Sequence, residues 1–214
     1  MTNPFLEFPA LAFGARPEHA PLTALLLHGR GRSPAEMLIM AQQFELPDIA
    51  WLALRAPEAS WYPGRFLQPR VFNQPNLDHA VERIEHEVTA LEAQGVSRDR
   101  VLFIGFSQGA CTICEYLVRH PGRYAGVIGF TGGLPTQDDE DWNRAGALAG
   151  TPVLLTNSDG DDWVPWPRTQ GTAEAFGHMG ARVTTKLYPG RDHLVCEEEM
   201  VEARSLLSRL LGSA

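Results

Sequence analysis

Six apolar, β-branched runs alternate along the chain with amphipathic helical patterns, and this alternation limits the available folds more than any other feature. The runs are 23–29 (TALLLHG), 49–57 (IAWLALRAP), 100–106 (RVLFIGF), 124–132 (YAGVIGFTG), 151–157 (TPVLLTN) and 182–190 (RVTTKLYPG). They are continuous rather than alternating, the pattern of parallel strands covered on both faces. Between them, Leu77, Val81, Ile84, Val88 and Leu91 recur at helical spacing until Gly95. A second helix is predicted from Ser107 to just before Pro121, burying Ala110, Ile113, Cys114 and Leu117. Residues 166–180 and 195–212 predict two more, and 8–14 (FPALAFG) one or two antiparallel edge strands. The βαβα order predicts an α/β, doubly wound, mostly parallel sheet with helices on both faces, whose ligands sit at the carboxyl ends of the strands.

At 214 residues the chain can bury a sizeable core, and a single domain over 1–214 is expected. The net charge of −8 repels phosphate backbones and anionic headgroups, so nucleic-acid binding is disfavoured. The N-terminal stretch lacks a basic leader, carries Glu7 and Pro9 within its apolar part, and nowhere reaches a membrane-spanning length. A cytoplasmic protein without stable membrane insertion is the expectation. Cys111, Cys114 and Cys196 make an odd count unlike a secreted disulfide framework. The Cys111-x-x-Cys114 spacing falls inside a predicted helix, not at its start where a thiolate is stabilised, so small core-facing residues are expected rather than a redox pair.

Three strand ends carry candidate chemistry. Gly105-Phe106-Ser107-Gln108-Gly109 follows a strand and precedes a helix, the setting of a nucleophile elbow, where flanking glycines let the chain turn sharply and expose the serine. A serine needs a base and the base an orienting acid, in the chain order Ser, Asp or Glu, His. His120 ends the helix that Ser107 begins, roughly 20 Å away, and His178 lies near a helix end. His193 follows the last strand on a loop able to swing over the elbow, and takes the base role. The acid should come from 158–165 (SDGDDWVP), where Asp159, Asp161 and Asp162 all compete and spacing does not choose. The spacing and closing Glu of a calcium loop are missing, so no metal is expected there. The third strand end is 25–34 (LLLHGRGRSP), whose glycine-rich turn can aim a backbone N–H at a developing oxyanion alongside the N–H of Gln108. Ser33 as N-cap and Pro34 as first helical residue leave Gly29 and Arg30 free for that purpose.

With LLHGRG, SWYP, NQPNL, GFSQGA, DDWVP and YPGRDH followed by CEEEM in hand, the chain resembles the carboxylesterase, lysophospholipase and acyl-protein thioesterase branch of the α/β-hydrolase superfamily, from about Leu25 to Leu211. The resemblance implies an α/β-hydrolase fold, Ser107 as nucleophile, His193 as base, Asp161 of the D-x-x-V-P motif as acid, and the Arg30 N–H as first oxyanion donor. Arg30 stands where eukaryotic thioesterases usually carry an apolar residue, and Gln74 where an acidic residue is common; HGRG and SWYP look closer to bacterial predicted esterases. Dienelactone hydrolases are similar in size and fold but use a cysteine where this chain has Ser107.

The implied activity is serine-dependent hydrolysis of small or medium acyl esters through an acyl-enzyme, with thioesters or lysophospholipids as alternative substrates and no cofactor required. The chain has no insertion long enough for a separate lid domain, so a shallow open groove is expected. Trp61, Tyr62, Phe66 and Trp163 are its candidate lining, each weighed against core packing. Arg30 or Arg65 would attract an anionic substrate group, against the ordinary reading of a solvated surface arginine. A rival of a different class, a silent small-molecule receptor on the same fold, requires a misaligned triad. An apolar strip beside the groove would support a homodimer.

Overall fold

The computed structural model describes residues 3–135 and 147–212, and the expected single domain over 1–214 extends to residues outside these. Seven strands form one sheet: β1 (Leu11–Gly14), β2 (Thr23–Leu27), β3 (Ala50–Leu54), β4 (Val101–Phe106), β5 (Gly126–Phe130), β6 (Pro152–Asn157) and β7 (Arg182–Leu187). Their spatial order is β1-β3-β2-β4-β5-β6-β7, with β1 antiparallel to β3 and every other pairing parallel. The apolar runs read as strands are all present, and FPALAFG contributes the one antiparallel edge, Leu11–Gly14.

Helices cover both faces, as the order of elements requires. On one side lie α2 (Asn76–Ala93), α3 (Gln108–Arg119) and α4 (Trp166–His178); on the other, α1 (Pro34–Gln42) and α5 (Glu197–Leu211). The α2 stripe Leu77, Val81, Ile84, Val88 and Leu91 is buried against the first side, each such side chain contributing about 1.5–3 kcal/mol over its exposed state. Ser33 caps α1 by accepting from the Glu36 N–H at 3.4 Å, with Pro34 at the first turn.

The last strand departs from the expectation of a run covered on both faces. β7 is the edge beside β6, and its residues Arg182 to Leu187 are exposed or half-buried throughout. The polar side chains within RVTTKL suit that edge, since charged and polar residues blunt a strand that lacks a neighbour.

The chain leaves β2 to build β3 on one side and returns to build β4 on the other, so the sheet reverses direction between β2 and β4. In open α/β sheets the crevice at this reversal is where ligands bind. In register, Leu27 at the end of β2 faces Gly105 of β4, which sets the 28–31 turn directly beside the Ser107 elbow.

Candidate active site

The elbow is built by close backbone approach. A Cβ at Gly105 would lie 2.6 Å from the Ala110 nitrogen, and one at Gly109 would lie 2.2 Å from the Leu27 carbonyl oxygen; neither backbone can yield, so both positions require glycine. Between them Ser107 holds φ 52°, ψ −120°, a sparsely populated conformation for a side-chain-bearing residue that the surrounding contacts maintain. Its N–H donates to the Phe130 carbonyl at 2.9 Å and its carbonyl accepts from Cys111 at 3.0 Å, which fixes the serine between β5 and α3.

His193 reaches the serine from the loop after β7. Its Nε2 lies 2.8 Å from Ser107 Oγ and its Nδ1 2.6 Å from Asp161 Oδ2. Asp161 is 7% exposed, and its second oxygen accepts from the Trp163 and Val164 N–H groups at 2.9 and 2.8 Å. Burial pushes its pKa up, but the hydrogen bonds from His193 and from Val164 outweigh it and hold the carboxyl below its ordinary value. The aspartates that spacing could not separate are thus distinguished: Asp159 accepts from the Gly190 N–H at 2.8 Å and Asp162 is exposed, while Asp161 meets the imidazole.

A second set of contacts, which sequence reasoning missed, ties the His193 loop to the sheet. Arg191, with a 6% exposed side chain, forms an ion pair with the buried Glu199 of α5 at 3.2 Å and donates to Thr131 Oγ1 at 2.7 Å. Glu199 also accepts from the Cys196 N–H at 2.8 Å and from Thr156 of β6. Thr131 sits just past β5 at φ 51°, an outlier for a β-branched residue that coincides with its role as acceptor for Arg191. In the sequence Glu199 is indistinguishable from its neighbours Glu197 and Glu198, and only packing singles it out.

The oxyanion candidates Arg30 and Gln108 both border the cavity at Ser107. Among the described residues neither backbone N–H has a protein acceptor, and that of Gln108 opens α3, where first-turn donors are unsatisfied and the helix dipole is positive. Their side chains are occupied. Gln108 Oε1 accepts from the Trp61 N–H at 2.9 Å, and its amide donates to the Tyr62 carbonyl at 2.7 Å. Arg30 donates to the carbonyls of Tyr62, Pro63 and Gly64. His28, also unanticipated, bridges the turn: its Nδ1–H donates to the Gly29 carbonyl at 2.8 Å, and its Nε2 accepts from the Ala56 N–H at 3.2 Å. Burial lowers its pKa, which keeps it in the neutral form this pairing needs.

A cavity of about 240 Å³ opens at Ser107 and His193. Tyr62, Phe66, Phe106 and Trp163 supply aromatic wall, Arg30, Arg32 and Arg65 surround it, and Cys111 borders it. Of the four aromatic candidates, each weighed against core packing, Trp61 takes the core position. It is fully buried, packs against His28 and Phe5, and donates its indole N–H to the His28 carbonyl at 2.8 Å; that donor needs a buried acceptor, which the strand end provides and an open groove would not. Cys111 and Cys114 are free and buried, and burial pushes the Cys111 thiol up to about 12, so the pair is a poor source of thiolate.

A β-strand, a strained serine, an α-helix and a histidine and an aspartate arriving from later strand ends are the architecture of an α/β-hydrolase. A family model described as phospholipase/carboxylesterase matches residues 9–211, and the chain belongs to that family. It is a hydrolase of esters. It superposes with TM-score 0.89 at 34% identity on a phospholipase/carboxylesterase of Dyadobacter fermentans, over 93% of this chain and 96% of that one. Acyl-protein thioesterase 1 of Schizosaccharomyces pombe is 24% identical over 89% of this chain and 92% of its own length. A probable carboxylesterase of rice is 25% identical over 96% of this chain and 87% of its own. No described helix is long and apolar enough to cross a membrane.

Proposed function

We propose that this protein is a serine carboxylic-ester hydrolase acting through an acyl-enzyme, with Ser107 as nucleophile, His193 as general base and acid, and Asp161 as the orienting carboxylate. The observation that carries the reading is the continuous relay from Ser107 Oγ through both ring nitrogens of His193 to Asp161 Oδ2, at 2.8 and 2.6 Å. With Asp161 ionised, Nδ1 carries the proton and Nε2 is left basic toward the serine. As Oγ attacks the ester carbonyl, Nε2 takes the serine proton, and the Arg30 and Gln108 N–H groups stabilise the negative charge gathering on the carbonyl oxygen. Collapse expels the alcohol, which leaves with the proton from Nε2. Water then attacks the acyl-serine by the same route and releases the acid.

A cavity of about 240 Å³ with four aromatic walls suits small or medium acyl groups. The test is hydrolysis of short-chain nitrophenyl esters, with a thioester of the same acyl group alongside, by wild type and Ser107→Ala, together with fluorophosphonate labelling. The wild type should turn over the esters and label once, at Ser107, while Ser107→Ala should lose about 10³-fold or more in kcat and remain unlabelled. Equal rates for the two proteins would defeat the proposal, and an unlabelled wild type would favour the receptor reading.

A further inference from the structure

We infer that the cavity selects esters bearing a carboxylate, with Arg65 as the specificity-determining residue; the inference rests on the esterase reading above. The chain carries 26 acidic against 18 basic residues, yet among the described residues three arginines and no carboxylate border the cavity that holds Ser107. The charges do not cancel locally. Arg32 is matched by Glu36 at 3.1 Å. Among the described residues Arg30 is held by neutral groups, the carbonyls of Tyr62, Pro63 and Gly64 and the Tyr62 ring, 5.9 Å from its centroid. Arg65 makes no ion pair among the described residues, and its guanidinium lies over the Trp163 ring, 5.6 Å from the centroid. Two exposed positive charges without an ion pair among the described residues therefore border an aromatic-walled site.

Those charges are positioned as well as unbalanced. Arg65 belongs to a loop whose backbone is tied down on either side: the Gly64 N–H donates to the buried Asn73 at 2.8 Å and the Arg65 N–H to Gln68 at 2.7 Å. Asp161 spends its oxygens on His193, Trp163 and Val164, and Asp162 is exposed and does not border the cavity. A guanidinium presents a planar fork that matches a carboxylate, and Arg65 is exposed, so its attraction for an anion is open to screening by salt. If Arg65 served only to cover Trp163, its loss would affect charged and neutral substrates alike.

The experiment compares esters of equal length that differ in charge, on either side of the scissile bond. On the acyl side these are 4-nitrophenyl hydrogen adipate and 4-nitrophenyl hexanoate; on the alcohol side, 4-carboxyphenyl and 4-carbamoylphenyl hexanoate. Wild type at low salt should show a kcat/KM about tenfold higher for the charged member of one pair, and the pair that shows it identifies the side. The preference should shrink in 0.5 M salt and fall about fivefold in Arg65→Gln. Equal rates within both pairs, or a ratio that neither salt nor Arg65→Gln moves, overturn the charge selection and leave the esterase reading standing. Absence of Ser107-dependent turnover of all four esters overturns the esterase reading and this inference with it.

Discussion

On the nucleophile side of the site, Ser107 is held by backbone pressed against backbone: Gly109 admits no Cβ because Leu27 would meet it at 2.2 Å, and the serine N–H is tied to Phe130. On the base side, His193 is held by charges and hydrogen bonds that reach across the sheet, from Asp161 to the ring and from Glu199 and Thr131 to Arg191 two residues earlier. The first arm depends on shape and the second on polar pairing. Shape fails by overpacking, whereas pairing fails by leaving a buried partner unsatisfied, so the two arms should respond differently to substitution.

The largest effect tests chemistry apart from fold. In Asp161→Asn the remaining side-chain oxygen can still accept from Trp163 and Val164, but the amide nitrogen cannot accept from Nδ1 and favours the wrong tautomer. kcat should fall about 10⁴-fold while the urea midpoint changes by less than about 1 kcal/mol in stability. Glu199→Ala comes next. It strands the buried Arg191 guanidinium and should cost about 3–5 kcal/mol in urea unfolding. Combining Arg191→Met with Glu199→Leu should recover much of that stability without restoring kcat; a double variant with wild-type kcat would show that the pair supports the fold and does not position His193.

Gly109→Ala should cost about 3 kcal/mol or more, and a second change at Arg191 or Glu199 should add to it independently in a double-mutant cycle. Strong coupling in that cycle would mean the two arms are one unit. The smallest effect is in acid. Asp161 titrates below its ordinary value in the folded chain, so its stabilisation is complete above the unfolded carboxylate pKa and is lost as pH falls through the folded one. Urea midpoints of wild type and Asp161→Asn should converge as pH falls below about 4, and a gap that stays constant would contradict the depressed value.

The difference between the arms also explains what could be read in the sequence. Gly105, Ser107 and Gly109 were legible because a steric demand fixes residue identity, and because the strand before them and helix after them have their own periodicities. His193 followed from chain order and its place beyond the last strand. Asp161 did not follow from spacing, since Asp159, Asp161 and Asp162 offer the same chemistry; the family resemblance of DDWVP pointed to it, and the folded loop brings it to His193. Arg191 and Glu199 resembled a solvated loop arginine and one of three glutamates opening a helix. Trp61 stayed open between groove and core because an aromatic residue in a loop carries no mark of the direction its ring takes. β7 was misjudged as covered because its position at the sheet edge is set by topology, not composition.

The Gln108 side chain, through Trp61 and Tyr62, and the Arg30 side chain, through the carbonyls of 62–64, fasten the cavity wall to the same two residues whose backbone N–H groups are the proposed oxyanion donors. Wall and anion cradle are thereby a single casting. Retuning the protein toward a new acyl group should leave residues 60–64 as a fixed footing and vary the stretch from Arg65 onward, where Arg65 and Leu67 can be exchanged without removing the carbonyls that hold Arg30.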